Sequence, residues 1–397
     1  MSLARIRARA GVAALATLAS VAIGLLVVEV WVRATADPMR GTPGLFVADP
    51  VRTERLAPNY NGWFAGVPVR TNSLGLRDAR EYELRKRPDT YRILVLGDSV
   101  TFGHGCLYAT TYPYLLEQRL RGWKADVDWQ VWNAAVPGYN TSHELAQLLE
   151  IGPAFQPDLV IVGFFENDIQ GNFPVAPRSS AAAFASRVRS FVNRHMYSQS
   201  WYRRVYLTLR WKWSGSDQYK ARLEQLAANE ALLVNVAQVQ DLAAQHVTPF
   251  ERLSDEQVRT FVCDGGETPS PTLLQDMQRD PGWPDWLRAV RELQALHQSG
   301  RYRIVFFVNT APPTCPHGDR FYDGGSSAAN RFFLDILGAG GTPAVSAYDA
   351  FLHRRPSQMP LAAGHSLGNS NVTKADVLFA FLTGDGGPLR EMAMRQP

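Results

Sequence analysis

The sequence predicts an α/β fold, a central parallel five-stranded sheet covered by helices on both faces and preceded by an N-terminal membrane helix. Three observations predict it. Short β-branched runs alternate with helical patterns from Tyr91 onward, and an uncharged apolar run fills residues 10–28. Between Asp168 and about Gly300 the alternation breaks, which marks a helical insertion.

The apolar run comes first. Arg5, Arg7 and Arg9 precede AGVAALATLASVAIGLLVV, and Glu29 with VWV extends it to Val32. A helix of about nineteen such residues is roughly 28 Å long, close to one hydrocarbon core. Arginines on its N-terminal side leave the C-terminal bulk outside the cytoplasm. Ala34-Thr35-Ala36 has the form of a signal-peptide cleavage site, so cleavage is the competing reading. Signal-peptide apolar regions run about 7–15 residues, which favours an uncleaved anchor. Residues 1–36 are therefore read as cytoplasmic stub and anchor, and 37–90 as a turn-rich, membrane-proximal lead-in. Residues 91–397 are read as the catalytic domain, with its insertion at about 169–300.

Within that domain the strands are RILVLG (92–97), DWQVWNA (128–134), DLVIVGFF (158–165), YRIVFFVN (302–309) and PAVSAYD (343–349). Helical patterns at 111–122, 142–152, 284–299, 327–337 and 373–383 alternate with them. Such near-continuous apolar strands belong to parallel sheets buried on both faces, and ligand chemistry in those sheets lies beyond the C-terminal strand ends.

Charge and cysteines narrow the partners. The net charge is +4, of which residues 1–36 carry +3, so nucleic acid is a poor partner. Ile169–Ser216 holds eight basic residues and no acidic one: Arg178, Arg187, Arg189, Arg194, Arg203, Arg204, Arg210 and Lys212. Trp201, Tyr202, Tyr206, Trp211 and Trp213 lie among them, a composition suited to a membrane surface, a lid or an anionic polymer, or to a solvated helical cap. Cys263 and Cys315 stand in loop sequence and either pair or remain thiols; Cys106 is the odd one. No zinc-type Cys/His spacing occurs, and no glycine-rich phosphate loop follows a strand. Neither a metal nor a cofactor is expected.

The chemistry-bearing residues sit at strand ends. Ser99 in LGDSVTFGHG follows the first strand, Gly138 in NAAVPGYNT follows the second, and Asn167-Asp168 in GFFENDIQ follows the third. A serine, a turn glycine N–H and an asparagine amide on one sheet edge make a nucleophile with an oxyanion hole. These segments resemble the first three sequence blocks of the SGNH (GDSL-type) esterase and acyltransferase superfamily. TNSLGLRD (71–78) and APNYNGWF resemble the lead-in of its membrane-anchored members. The likeness runs from Pro58 to Leu382, apart from most of the insertion.

The resemblance implies a flavodoxin-like three-layer sandwich. It also implies Ser99 as nucleophile, an oxyanion hole of Ser99, Gly138 and Asn167, and a histidine before the last helix as base. In PLAAGHSLGNSNVTKADVLFAFL that histidine is His365. The family's aspartate three residues earlier is replaced by Ala362. A Ser–His dyad, a carboxylate from elsewhere, or a weakened site are the outcomes this leaves open. The candidate supporting carboxylates are Asp98, Asp168 and Asp349.

Gly364-His365-Ser366-Leu367-Gly368 also spells the G-x-S-x-G elbow of another hydrolase fold, but no histidine follows Ser366 and no buried strand precedes it. His104 and Cys106 read as pocket lining, and His353 as exposed loop. The expected function is hydrolysis of an acyl ester, of a glycan or a lipid, outside the cytoplasm. An O-acetyltransferase acting on exported polysaccharide and a catalytically weak glycan-binding protein are the alternatives.

Overall fold

The computed structural model describes residues 3–37, 41–170, 194–227, 250–259, 273–315, 318–323, 325–362 and 364–390, with 184, 188, 191 and 192 as isolated positions. Arg178, Arg187, Arg189 and Cys263 lie outside them. Helix α1 (Leu3–Thr35) contains a stretch, Gly11–Thr35, long and apolar enough to cross a membrane and not buried by the rest of the chain.

Two antiparallel hairpins follow, β1 (Phe46–Asp49) with β2 (Thr53–Leu56) and β3 (Asn61–Phe64) with β4 (Val67–Arg70). The central sheet holds β5 (Thr90–Gly97), β6 (Asp128–Asn133), β7 (Leu159–Phe164), β8 (Ile304–Val308) and β9 (Ala344–Ser346). Their order is β6-β5-β7-β8-β9, with every neighbouring pair parallel. Chain order reverses across β5, so the crevice at the C-terminal ends of β5, β6 and β7 is where ligands bind in such sheets.

The pleat divides each strand between two cores. Leu94 and Leu96 of β5 join Trp132, Val160, Val162, Ile304 and Phe306 on one face. That face is covered by α4 (Thr141–Phe155), α6 (Trp283–Gln298) and α7 (Ser326–Leu337). Ile93 and Val95 join Val131, Ile161, Val305 and Phe307 on the other, covered by α3 (Tyr112–Trp123) and α8 (Asn369–Thr383). Burial on both faces is why these strands are apolar throughout. The last strand is shorter than its sequence run suggests: Ser346 Oγ accepts the Tyr348 N–H at 3.0 Å and turns the chain into the short helix Tyr348–Leu352. A third apolar cluster packs Leu45, Leu56, Val67 and Val69 of the lead-in against Phe102, Ala135, Val136 and Tyr139. The hairpins thus wall the loops that follow β5 and β6.

One glycine pair shapes the sheet edge. Gly97 and Gly163 are partners across β5 and β7, and a Cβ on either would stand 2.2 Å from Thr101 Oγ1. The missing side chains form a notch into which the turn after β5 settles, held by Tyr112 Oη donating to Thr101 Oγ1 at 2.9 Å. Gly163→Ala is expected to overpack this notch and lower Tm by about 5 °C. A thermal melt checks it, and Thr101→Ala in the same chain is expected to restore part of the loss.

The insertion contributes α5 (Gln199–Ser214), with Leu207 buried and Tyr206, Leu209 and Trp213 exposed. Cys315 is disulfide-bonded, whereas Cys106 is a free, buried thiol.

Candidate active site

Ser99 opens a one-turn helix, α2 (Ser99–Phe102), straight after β5. Asp98 caps it by accepting the Val100 N–H at 2.8 Å, and Ser99 is left half-buried at the sheet edge. His365 reaches it from the opposite end of the chain. The two-residue strands Leu361–Ala362 and His365–Ser366 pair antiparallel, with Ala362 opposite His365. His365 Nε2 lies 2.8 Å from Ser99 Oγ.

The loop carrying His365 is tied to the loop after Ser99. Ser366 O accepts Asn371 Nδ2 at 3.0 Å and the Cys106 thiol at 3.1 Å. Burial raises Cys106 to a pKa of about 11, so it keeps the proton that it donates. Ser366 itself is buried in this short strand, where it serves the loop's structure.

His104 lies against the pair. Its ring stacks on His365 with centroids 4.6 Å apart and planes 28° apart, while Phe64 at the tip of the β3–β4 hairpin meets it edge-on at 5.2 Å. Burial, followed by the charges of His365 and Arg77, pulls His104 down to a pKa of about 4, so it stacks as a neutral ring. Arg77 is buried beneath the same turn and donates to the carbonyls of Phe102, Gly103 and Cys106.

The two other candidate donors, Gly138 and Asn167, stand on the loops after the next strands. The loop after β6 is pinned to β5 by Val136 N donating to Gly97 O at 3.0 Å. It exposes Gly138 at φ +86°, a conformation that favours glycine. The Gly138 N–H makes no hydrogen bond among the described residues. Asn167 is exposed on the single turn Glu166–Ile169 after β7, close enough to Asp98 for its amide to oppose the rise of that carboxyl's pKa. Its amide NH₂ carries two hydrogens that it can donate to an anionic oxygen.

Beneath these donors lie three fully buried carboxyls, Asp98, Glu144 and Asp168. Asp168 accepts the Phe165 N–H at 3.0 Å through one oxygen; its other oxygen and both of Glu144 have no hydrogen-bond partner among the described residues. Burial pushes Glu144 and Asp168 well above the ordinary carboxyl range, followed by repulsion from Asp98 on Glu144 and from Glu144 and Asp98 on Asp168. Burial raises Asp98 as well. Lys374 of α8 is buried within their field; burial lowers it to a pKa of about 7, against the opposing pull of Asp98 and Cys106.

Because Glu144 keeps its proton in the native state while the unfolded carboxyl releases it near 4.5, unfolding releases protons. This contribution to stability is full below pH 4.5 and is lost as pH rises toward the native value. Glu144→Gln is therefore expected to raise Tm more at pH 8 than at pH 5. Equal shifts at both pH values would contradict the assignment.

Of the sequence candidates, Ser99, His365 and Asp98 come together, with Asn167 near Asp98 and Asp168 buried below. Asp349 does not join them. It is exposed on the Tyr348–Leu352 helix, and no hydrogen bond links it to His365 among the described residues. Sequence reasoning missed Arg77, Glu144 and Lys374. Lys374 carried a signal, a lone lysine inside the apolar closing helix, and Arg77 stood within the quoted TNSLGLRD segment. The described residues contain no group of three or more His, Cys, Asp or Glu that could hold a metal ion.

The sandwich and its matching family define the class, an ester-hydrolysing enzyme. The chain belongs to the GDSL-like lipase/acylhydrolase family, whose model matches residues 95–365, more than half of its length. No curated protein matches the chain. Among solved structures it is similar to a catalytic mutant of Axe2, an acetylxylan esterase from Geobacillus stearothermophilus. That similarity is 11% identity and a TM-score of 0.38, over 77% of this chain and 97% of the other. It is also similar to the lipase Lip_vut3 from a goat rumen metagenome, at 14% identity and a TM-score of 0.32 over 73% and 96%. A two-domain esterase active on acetylated mannans gives 11% and 0.34 over 77% and 50%.

Proposed function

We propose that the chain is a membrane-anchored serine esterase acting outside the cytoplasm on short acyl esters, with O-acetyl esters foremost. The 2.8 Å contact between Ser99 Oγ and His365 Nε2 carries the reading. Ser99 attacks the ester carbonyl carbon while His365 takes the hydroxyl proton. The carbonyl oxygen, now negative, is held by the Ser99 and Gly138 N–H groups and the Asn167 amide. His365 returns the proton to the departing alcohol oxygen as the C–O bond breaks. Water then repeats the sequence in reverse and releases the acid.

Ala362 supplies no carboxylate to orient the imidazole. The hairpin that carries His365 and the ring stack on His104 restrict its plane. Retention of the N-terminal helix is supported by its contacts with the insertion. Glu29 accepts the Tyr197 and Ser198 N–H groups at 3.0 Å, and Arg33 donates to His195 O at 2.8 Å. A leader destined for removal has no need of them.

The test uses the full-length protein in lipid nanodiscs with p-nitrophenyl acetate and a serine-directed fluorophosphonate. Turnover together with labelling of Ser99 supports the reading. Absence of both sinks it, and turnover that Ser99→Ala leaves intact sinks the site. Acetylation of an added oligosaccharide in place of acetate release would make the enzyme a transferase.

A further inference from the structure

The outer end of α1 does more than enter a loop. The Glu29 carboxylate receives two backbone N–H groups and the Ser198 hydroxyl at 2.7 Å, which caps the start of α5 from 169 residues away. Trp31 meets Trp201 edge-on at 6.5 Å, and Arg33 lies over the Tyr197 ring at 4.9 Å. Between the helix end, the lead-in and α5 lies a cleft of about 720 Å³. That falls within the range of about 300–1,000 Å³ usual for small-molecule sites. Trp31 and Val32 of the anchor, Phe46 and Phe64 of the hairpins and Trp201 of α5 supply its apolar walls.

Two features give the cleft an occupant. Its anchor wall is the last turn of the apolar span, where tryptophans mark the bilayer boundary, so it borders the lipid surface. Its Phe64 wall touches His104, which stacks on His365. His365 must protonate the departing oxygen, so the alcohol half of an ester lies on the His365 side. The carbonyl oxygen lies toward Gly138 and Asn167. The cleft thus begins behind two rings, Phe64 and His104, counted from the place where the leaving alcohol is released, a gap that the first carbons of a long alcohol chain can span.

We propose that this cleft binds the apolar chain of the alcohol in a membrane-resident ester, so that the substrate is an acylated lipid alcohol taken from the bilayer holding the enzyme. The proposal rests on Ser99 and His365 acting as described above. The ester C–O bond breaks, the acyl group passes to Ser99 and then to water, and the alcohol leaves with the proton from His365, its chain still in the cleft.

The experiment measures acetate release from butyl, octyl and dodecyl acetate by the full-length enzyme in nanodiscs. Each methylene buried is worth up to about fourfold in kcat/KM, so about two well-buried methylenes give a tenfold rise. At least a tenfold rise from butyl to dodecyl acetate is expected. Ser200→Trp and Thr35→Trp, which fill the cleft, are expected to reduce the dodecyl-to-butyl ratio at least fivefold. A flat series in the wild type, or a ratio that both variants leave unchanged, overturns the proposal while the esterase reading stands. If both variants lose butyl acetate turnover, free dodecanol decides. Competitive inhibition of the wild type supports the cleft and no inhibition overturns it. No acetate release from any ester, with no fluorophosphonate labelling of Ser99, removes the esterase reading itself and this proposal with it.

Discussion

Ser99→Ala is expected to lower kcat for an acetate ester at least ~10⁴-fold, and His365→Ala to do the same. The two act as one unit, since a hydroxyl without its base and a base without its hydroxyl both forfeit the covalent step. The double variant is therefore expected to be no worse than either single one. Ser99 is half-buried, and among the described residues its side chain hydrogen-bonds His365 and, at 3.4 Å, Asp98. Its removal leaves no core cavity, so stability is expected to hold within about 0.5 kcal/mol. Steady-state kinetics with a far-UV circular dichroism melt separates the two effects. A Ser99→Ala enzyme retaining a tenth of wild-type turnover would remove Ser99 from the mechanism.

Arg77→Leu is expected to have the largest effect on the fold, a loss of about 3 kcal/mol or more. The guanidinium gives its hydrogens to three carbonyls in the turn after Ser99 and lies 4.3 Å from the Phe102 ring centroid. Leucine removes the guanidinium from all three. Gly103 O keeps the Cys106 N–H at 2.9 Å and Phe102 O keeps a long contact to Asn133 Nδ2, whereas the Cys106 carbonyl loses its donor among the described residues. The bulk of an apolar side chain also replaces a buried charge fitted to that turn. The same turn holds His104 and Cys106, which touch His365 and the strand behind it, so the folded fraction is expected to lose kcat as well. Arg77→Lys, a point charge without the planar fork, is expected to recover only part of both losses. A urea titration gives the stability, and kcat measured well below the unfolding midpoint gives the rest.

Local physics explains what the sequence made legible. The runs at 92–97, 128–134 and 158–165 are apolar on both faces because helices cover both, and the observed strands fall on them within two residues. Ser99, Gly138 and Asn167 were visible because each is fixed by the turn ending its own strand. His365 was found by its spacing to the closing helix, which in the structure begins at Asn369, before the apolar pattern shows it. The rest depends on contacts between distant residues. Arg77 reaches carbonyls 25 to 29 residues on, Glu29 caps a helix almost 170 residues away, and Glu144 reads locally as an ordinary acid in a first helical turn. Periodicity carries no trace of such pairings. The body-wide charge count was equally silent, since it separated the basic insertion from the rest without saying that α5 rests on the anchor.

The Glu29 contact changes what kind of attachment the enzyme has. A floppy tether would let Ser99 sweep a hemisphere whose radius is set by linker length, diluting it over everything within reach. On the anchored reading proposed above, a strut clamped at Glu29, Trp31 and Arg33 would hold Ser99 near one height and one tilt over the lipid surface. An enzyme so held would work a thin slab instead of a volume. A substrate diffusing in two dimensions meets it repeatedly, whereas one free in solution gains nothing from the attachment.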